Sequence, residues 1–142
     1  MPRRKSQLTL FFSLLAIFVA NTAALVAGWY RIYPWYDIPM HMAGGAWIAY
    51  ALVYLAEERY PALQNHKWTF FAIGFVAVAV LWEVFEYSLD IFLVGKYTIT
   101  TIPWSVIRDT LGDLVNDTLG ASVVWYARYS GKRIAASAPS RT

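Results

Sequence analysis

Residues 8–30 read LTLFFSLLAIFVANTAALVAGWY, and no side chain in the stretch ionises apart from the terminal Tyr30. At about 1.5 Å per residue, a helix of this length crosses the roughly 30 Å hydrocarbon layer of a bilayer. Arg3, Arg4 and Lys5 precede it. A basic start and an apolar core also describe a signal peptide, which is the competing reading. The run is long for a signal, and no small-x-small site closes it before more apolar sequence follows. A membrane helix is therefore expected.

Working outward, three further spans are expected: Asp37 to Ala56, Trp68 to Val94, and Ser105 to Ala127, the last being the most polar. Short links join them, and Pro34, Pro39, Pro61 and Pro103 sit in or beside the links, where helix-resisting residues belong. The expected fold class is all-α, an integral membrane bundle of four transmembrane helices. Residues 1–129 form the transmembrane domain, and 130–142 form a flexible basic C-terminal tail. No internal repeat or second domain is visible.

Composition agrees. The 142 residues are 58% hydrophobic, 18% aromatic and 15% charged, against about 25% charged in soluble domains. Mean hydropathy is +0.42. The absence of Cys excludes disulfide scaffolds, thiolate metal sites and Cys nucleophiles. A net charge of +3, clustered toward the chain ends, gives no footprint for nucleic acid.

Lys and Arg placement sets the direction. With the N-terminus inside, the inner side holds Arg3, Arg4, Lys5, Arg59, Lys67, Arg128, Lys132, Arg133 and Arg141, and the outer side holds Arg31, Lys96 and Arg108. Nine against three assigns both termini to the cytoplasm, and the expected location is the inner (cytoplasmic) membrane. Trp29, Tyr30, Tyr33, Trp35, Tyr36, Tyr97 and Trp104 form an outer aromatic belt, and Trp68, Trp125, Tyr126 and Tyr129 an inner one.

Of the nine carboxylates, Glu57 and Glu58 fall in the inner loop and are expected to be solvated. The other seven, Asp37, Glu83, Glu86, Asp90, Asp109, Asp113 and Asp117, fall within or at the edge of spans. Each would cost on the order of 2.5–3.5 kcal/mol near the bilayer centre. Helical rise puts His41 about 6 Å below Asp37, Glu83 about 10 Å below Asp90, and Asp109, Asp113 and Asp117 roughly 6, 12 and 18 Å below the start of the last span. Three helices thus bring their polar groups to one layer in the outer half.

The spacing gives one stripe per helix: Asp37 and His41; Glu83, Glu86 and Asp90; Asp109, Asp113, Asn116 and Gly120. Asp117 is offset but neighbouring. Asn21 and Thr22 fall at a compatible depth and would form a wall. Gly44, Gly45, Gly112 and Gly120 would allow close helix approach. The inner half, by contrast, holds no ionisable group except Tyr, so the polar zone is a cup opening outward.

Seven carboxylates with one imidazole in low dielectric need protons, basic partners or metal ions. Arg108 and Lys96 are the nearby bases, and two do not balance seven. A divalent ion is the expected answer: Zn, Mn or Fe for a mixed imidazole and carboxylate site, Mg for oxygen ligands. The expected ligands are Asp37, His41, Glu83, Glu86, Asp109 and Asp113. Asp90 and Asp117 would act as outer partners or general base, and Asn116 as a positioning donor. Such a site would serve metal-dependent hydrolysis or transfer on a lipid-phase substrate. Arg108 and Lys96 would hold an anionic lipid head group at the rim.

Two other readings stay open. A polar cluster of this kind also glues helices together through hydrogen bonds alone. Carboxylates and His also build proton or cation relays of transporters and channels. His66, in the inner loop, is assigned no role. Whether the chain is an enzyme, and its oligomeric state, stay open.

Tyr36-Asp37-x-x-x-His41 with Gly44-Gly45, then Trp82-Glu83-x-x-Glu86, then Asp109-Thr110-x-x-Asp113 with Gly120-Ala121, together resemble the YjdF-type family of small bacterial inner-membrane proteins. More distantly they resemble VanZ-like proteins, which also combine an Asp–His start with a later Glu and an Asp-rich helix. The likeness spans roughly Tyr36 to Val123. It implies a helical integral membrane protein and no settled activity. The VanZ-like likeness implies an association with glycopeptide resistance. The residues that carry the match are Asp37, His41, Glu83, Glu86, Asp109 and Asp113.

Overall fold

The computed structural model describes residues 2–94 and 102–136. Lys96 and Tyr97, which the sequence reading places on the outer side, lie outside the described residues, as do residues 137–142. Among the described residues the chain is helical throughout, with no strand. Helix α1 is Pro2–Val26, α2 is the single turn Trp29–Ile32, and α3 is Asp37–Tyr54. Helix α4 is Lys67–Leu89 and α5 is Trp104–Ala136.

Three helical segments are long and apolar enough to cross a membrane: Arg4–Val26, Pro34–Arg59 and Pro61–Phe92. Helix α5 has the length but not the apolarity, because Arg108, Asp109, Asp113 and Asp117 interrupt it. The described residues thus form an all-helical bundle with three helices of spanning character and a long polar fourth. The polar helix continues to Ala136, past the Tyr129 at which the sequence reading closes the transmembrane domain.

Local chemistry explains the breaks. Helix α1 stops at Val26 rather than running to Tyr30 because Gly28 adopts φ 68, a left-handed conformation that a side chain would strain. Its N–H donates to the Leu25 carbonyl at 3.1 Å. Pro34 opens a 3-10 turn, Pro34–Tyr36, that feeds into α3. Asp37 in the first turn of α3 suits the positive end of the helix dipole. At the other end α3 widens into a π turn over Leu55–Arg59.

Helix α3 is the hub: it packs most extensively on α5, and also on α4 and α1. Its buried residues include His41, Gly45, Ile48, Ala49 and Leu52, the spacing of one helix face. Ile48, Leu52, Val53 and Ala56 join Phe71 of α4 in an apolar core, with Trp125 of α5 against it. Helix α1 is held by polar clasps: the Trp47 indole N–H donates to the Leu10 carbonyl at 2.9 Å, and Gln7 Nε2 to the Tyr54 hydroxyl at 2.9 Å. Outward-facing Phe11, Phe12, Phe18, Ile73 and Leu81 are exposed, as lipid-facing side chains should be.

Close approach of α3 and α5 depends on two glycines. A Cβ on Gly45 would collide with the backbone carbonyl of Asp117, and one on Gly120 with the backbone carbonyl of Met42. Gly44 has only ordinary contact with Asp117, and nothing lies within 4 Å of Gly112. Two of the four expected close-approach glycines therefore act as such.

Glu57 and Glu58 differ from the expectation of simple solvation. The π turn swings Glu57 toward α5, where its Oε2 accepts from Arg128 Nε at 3.0 Å and Nη2 at 2.5 Å, and its Oε1 from the Tyr129 hydroxyl at 2.7 Å. Glu58 Oε1 accepts from Ser6 at 2.9 Å. Burial, then the bond to Glu57, pushes the Tyr129 hydroxyl up to about 12, so it stays a donor at neutral pH.

Candidate functional site

His41 lies at the centre of the acidic layer. It sits one turn into α3, with only 6% of its surface exposed. Its Nε2 is 3.6 Å from Asp37 Oδ1, one turn back on α3, and 3.6 Å from Asp113 Oδ1 on α5. Glu86 Oε2 of α4 is 4.0 Å from the same nitrogen. The opposite nitrogen, Nδ1, is 3.4 Å from Asp117 Oδ1. Carboxylates from three helices therefore converge on one imidazole.

Two groups bring potential ligand atoms within 4.8 Å of one another: Asp37, His41 and Asp113, and His41, Glu83 and Glu86. Five of the six expected metal ligands, His41 and four carboxylates, thus stand together. Asp109 is the sixth. It is exposed and one turn nearer the mouth, lining a cavity of about 320 Å3 together with Asp37, Asp113, Asn116 and Arg108. Asn116 is on that cavity wall rather than at the imidazole. Asp90 opens a π turn, Asp90–Val94, one turn beyond Glu86. Asp117, expected to be an outer partner, touches His41 directly and is 3% exposed.

The donor chemistry suits a cation. Ligand atoms about 2.0–2.2 Å from one ion stand roughly 3–4 Å apart, whereas direct hydrogen bonds are shorter than the Nε2 distances found here. Two states of His41 satisfy this surrounding: an imidazolium ion-paired with the carboxylates on both sides, or a neutral ring held at Nδ1–H by Asp117 with a cation between Nε2 and the carboxylates. The second is the carboxylate–histidine–metal arrangement, in which the outer carboxylate sets the tautomer. Glu83 adds an independent sign: its Oε1 is buried with no hydrogen-bond partner among the described residues, although the Thr110 side chain approaches the same carboxylate. A buried carboxylate oxygen without a donor is costly unless a proton or an ion reaches it.

The site is open on one side. The Glu86 side chain is 47% exposed and that of Asp37 29%, while those of Asp113 and Asp117 are 12% and 5%. The cluster is thus exposed on the Asp37 and Glu86 side and borders the cavity bearing Arg108.

Tyr30 was not legible as a site residue. Its ring packs with its centroid 5.6 Å from that of Tyr36, the neighbour of Asp37, and its hydroxyl donates to Asn21 Oδ1. Asn21 therefore reaches the polar layer through Tyr30, while Thr22 is exposed. The signal was Asn21 itself: an amide in an apolar span needs a partner, and the Gly28 turn brings the next aromatic hydroxyl back to it.

Neither a curated protein nor a solved structure matches the chain. One family does, over residues 2–132. That match extends beyond the Tyr36 to Val123 stretch of the sequence resemblance and takes in α1. The YjdF-type likeness is consistent with it, and the VanZ-like one rests on motif order alone. The chain belongs to the family described as "Predicted membrane protein (DUF2238)".

Proposed function

We propose that the chain is a four-span protein of the cytoplasmic membrane, with both termini on the cytoplasmic side, whose outward-facing acidic layer binds a divalent metal ion and acts on a lipid-phase substrate by metal-dependent hydrolysis or transfer. The observation that carries this is the convergence of Asp37, Glu86, Asp113 and Asp117 on His41, with Glu83 beside them. The nine-to-three placement of Lys and Arg supports the direction. The long contact of α5 with α3 supports its sharing the depth of a spanning helix, its polar face turned to α3 rather than to lipid.

Asp37, His41, Glu83, Glu86 and Asp113 hold the ion, and Asp109 joins from the cavity wall. A Zn, Mn, Fe or Mg ion bound there supplies Lewis acidity toward water or a phosphoryl oxygen. Asp117 fixes the ring of His41. Asp90, next along α4 from Glu86, accepts a proton. Asn116 and Arg108 on the cavity wall orient the substrate, Arg108 by pairing with an anionic head group.

Metal analysis of protein purified without chelator tests the reading. Wild type carries a divalent ion near one per chain, and Glu83→Ala and Asp113→Ala lose most of it. Absence of bound metal in wild type, after loading with each candidate ion, overturns the proposal.

A further inference from the structure

The other half of the bundle carries an open groove of about 870 Å3 between α4 and α5, with Ala49 and Leu52 of α3 as its floor. Trp68, Phe71 and Phe75 form one wall, and α5 forms the other from Thr118 to Tyr129. Two hydroxyls on that second wall are used within the helix: Thr118 donates to the Leu114 carbonyl at 2.7 Å, and Ser122 to the Thr118 carbonyl at 2.7 Å. These two hydroxyls are satisfied within the helix, and the rest of the groove's lining is mostly aromatic and aliphatic.

Its length is informative. From Tyr129 to Thr118 the helical rise gives about 16 Å, close to half the roughly 30 Å hydrocarbon layer. The groove thus matches one acyl chain of one leaflet. One end is charged: the Lys67 ammonium lies 5.5 Å from the Trp68 ring and 5.2 Å from the Tyr129 ring, and both rings line the groove. Arg128, next to Tyr129 on α5, is balanced by Glu57. Lys67 thus puts a positive charge where the head group of a lipid lying in the groove would stand.

From this geometry we infer that the groove is a binding site for an anionic phospholipid, one acyl chain lying between α4 and α5 and the head-group phosphate pairing with Lys67. Trp68 and Tyr129, whose rings pack on each other with centroids 5.7 Å apart, stand at the glycerol level, the place amphipathic rings favour at a membrane interface. The site is separate from the acidic layer, because Lys67 begins α4 and Glu83 and Glu86 lie near its far end. It does not depend on a metal.

Native mass spectrometry of the detergent-purified full chain, titrated with phosphatidylglycerol or phosphatidylcholine of identical acyl chains, tests it. Wild type retains one phosphatidylglycerol in preference to phosphatidylcholine by about fivefold, the worth of one cation at the surface. Lys67→Gln removes the preference and leaves weak retention of both. Ser122→Phe, at an exposed wall position, fills the groove and removes retention of both, while its thermal unfolding stays that of wild type. Equal retention of the two lipids by wild type, an undiminished preference in Lys67→Gln, or a lipid-free dimer in place of the lipid-bound chain overturns the inference.

Discussion

The backbone carbonyl of Asp117 occupies the space in which a side chain at Gly45 would begin. Because the obstacle is backbone, no rotamer change relieves it, and α3 and α5 would have to separate. The same contact brings Asp117 to His41. Gly45→Ala and Gly120→Ala are each expected to cost about 1–3 kcal/mol, the usual range for overpacking. Gly112→Ala, with open space around it, is expected to be neutral or slightly stabilising. Thermal unfolding in one detergent compares the three.

Asp117 and Asp113 differ in placement although both face His41. Asp113 shares the Nε2 side with Asp37 and Glu86, whereas Asp117 faces Nδ1. Asp117→Asn is expected to weaken metal affinity about 10–100-fold, the range for an outer partner of a ligating His, without abolishing binding at saturating ion. Asp113→Asn removes a ligand of the proposed site and is expected to bind the ion more weakly still. Metal titration of both variants resolves the order; equal affinity in Asp117→Asn and wild type would remove the orienting role.

Tyr30 and Asn21 form a donor–acceptor pair beside the acidic layer. Tyr30→Phe leaves the Asn21 oxygen without its donor and is expected to cost about 1–3 kcal/mol. Adding Asn21→Leu removes the stranded amide and recovers much of the loss. A double-mutant cycle by thermal unfolding measures the coupling, and additive losses would show that the hydrogen bond contributes nothing.

The chain has no Cys, so single introduced thiols report topology cleanly. With four spans and both termini inside, Gln64→Cys is shielded from a membrane-impermeant maleimide applied to intact cells, and Ile102→Cys is labelled. Labelling of both, or of Gln64→Cys alone, contradicts the arrangement.

The acidic layer was readable from residue spacing because helical rise and periodicity are nearly invariant over two or three turns. Asp37, His41, Glu86 and Asp113 converge as their depths and stripes require. Asp109 shares the stripe of Asp113 but lies one turn nearer the mouth, which puts it on the cavity wall. The more offset Asp117 meets the other face of the ring. What spacing did not reveal arises where the helix departs from regularity. The left-handed Gly28 ends α1 early and turns Tyr30 back to Asn21, and the π turn at Leu55–Arg59 delivers Glu57 to Arg128. The polar character of α5 was visible from the start, and the reason is its packing: Asp113 and Asp117 are buried against α3 instead of facing lipid.

X-ray absorption at the edge of the bound metal tests the central claim most directly. In metal-loaded wild type the account predicts one imidazole nitrogen among oxygen ligands, with the nitrogen signal lost in His41→Ala. A first shell without imidazole, or one unchanged by His41→Ala, would contradict it.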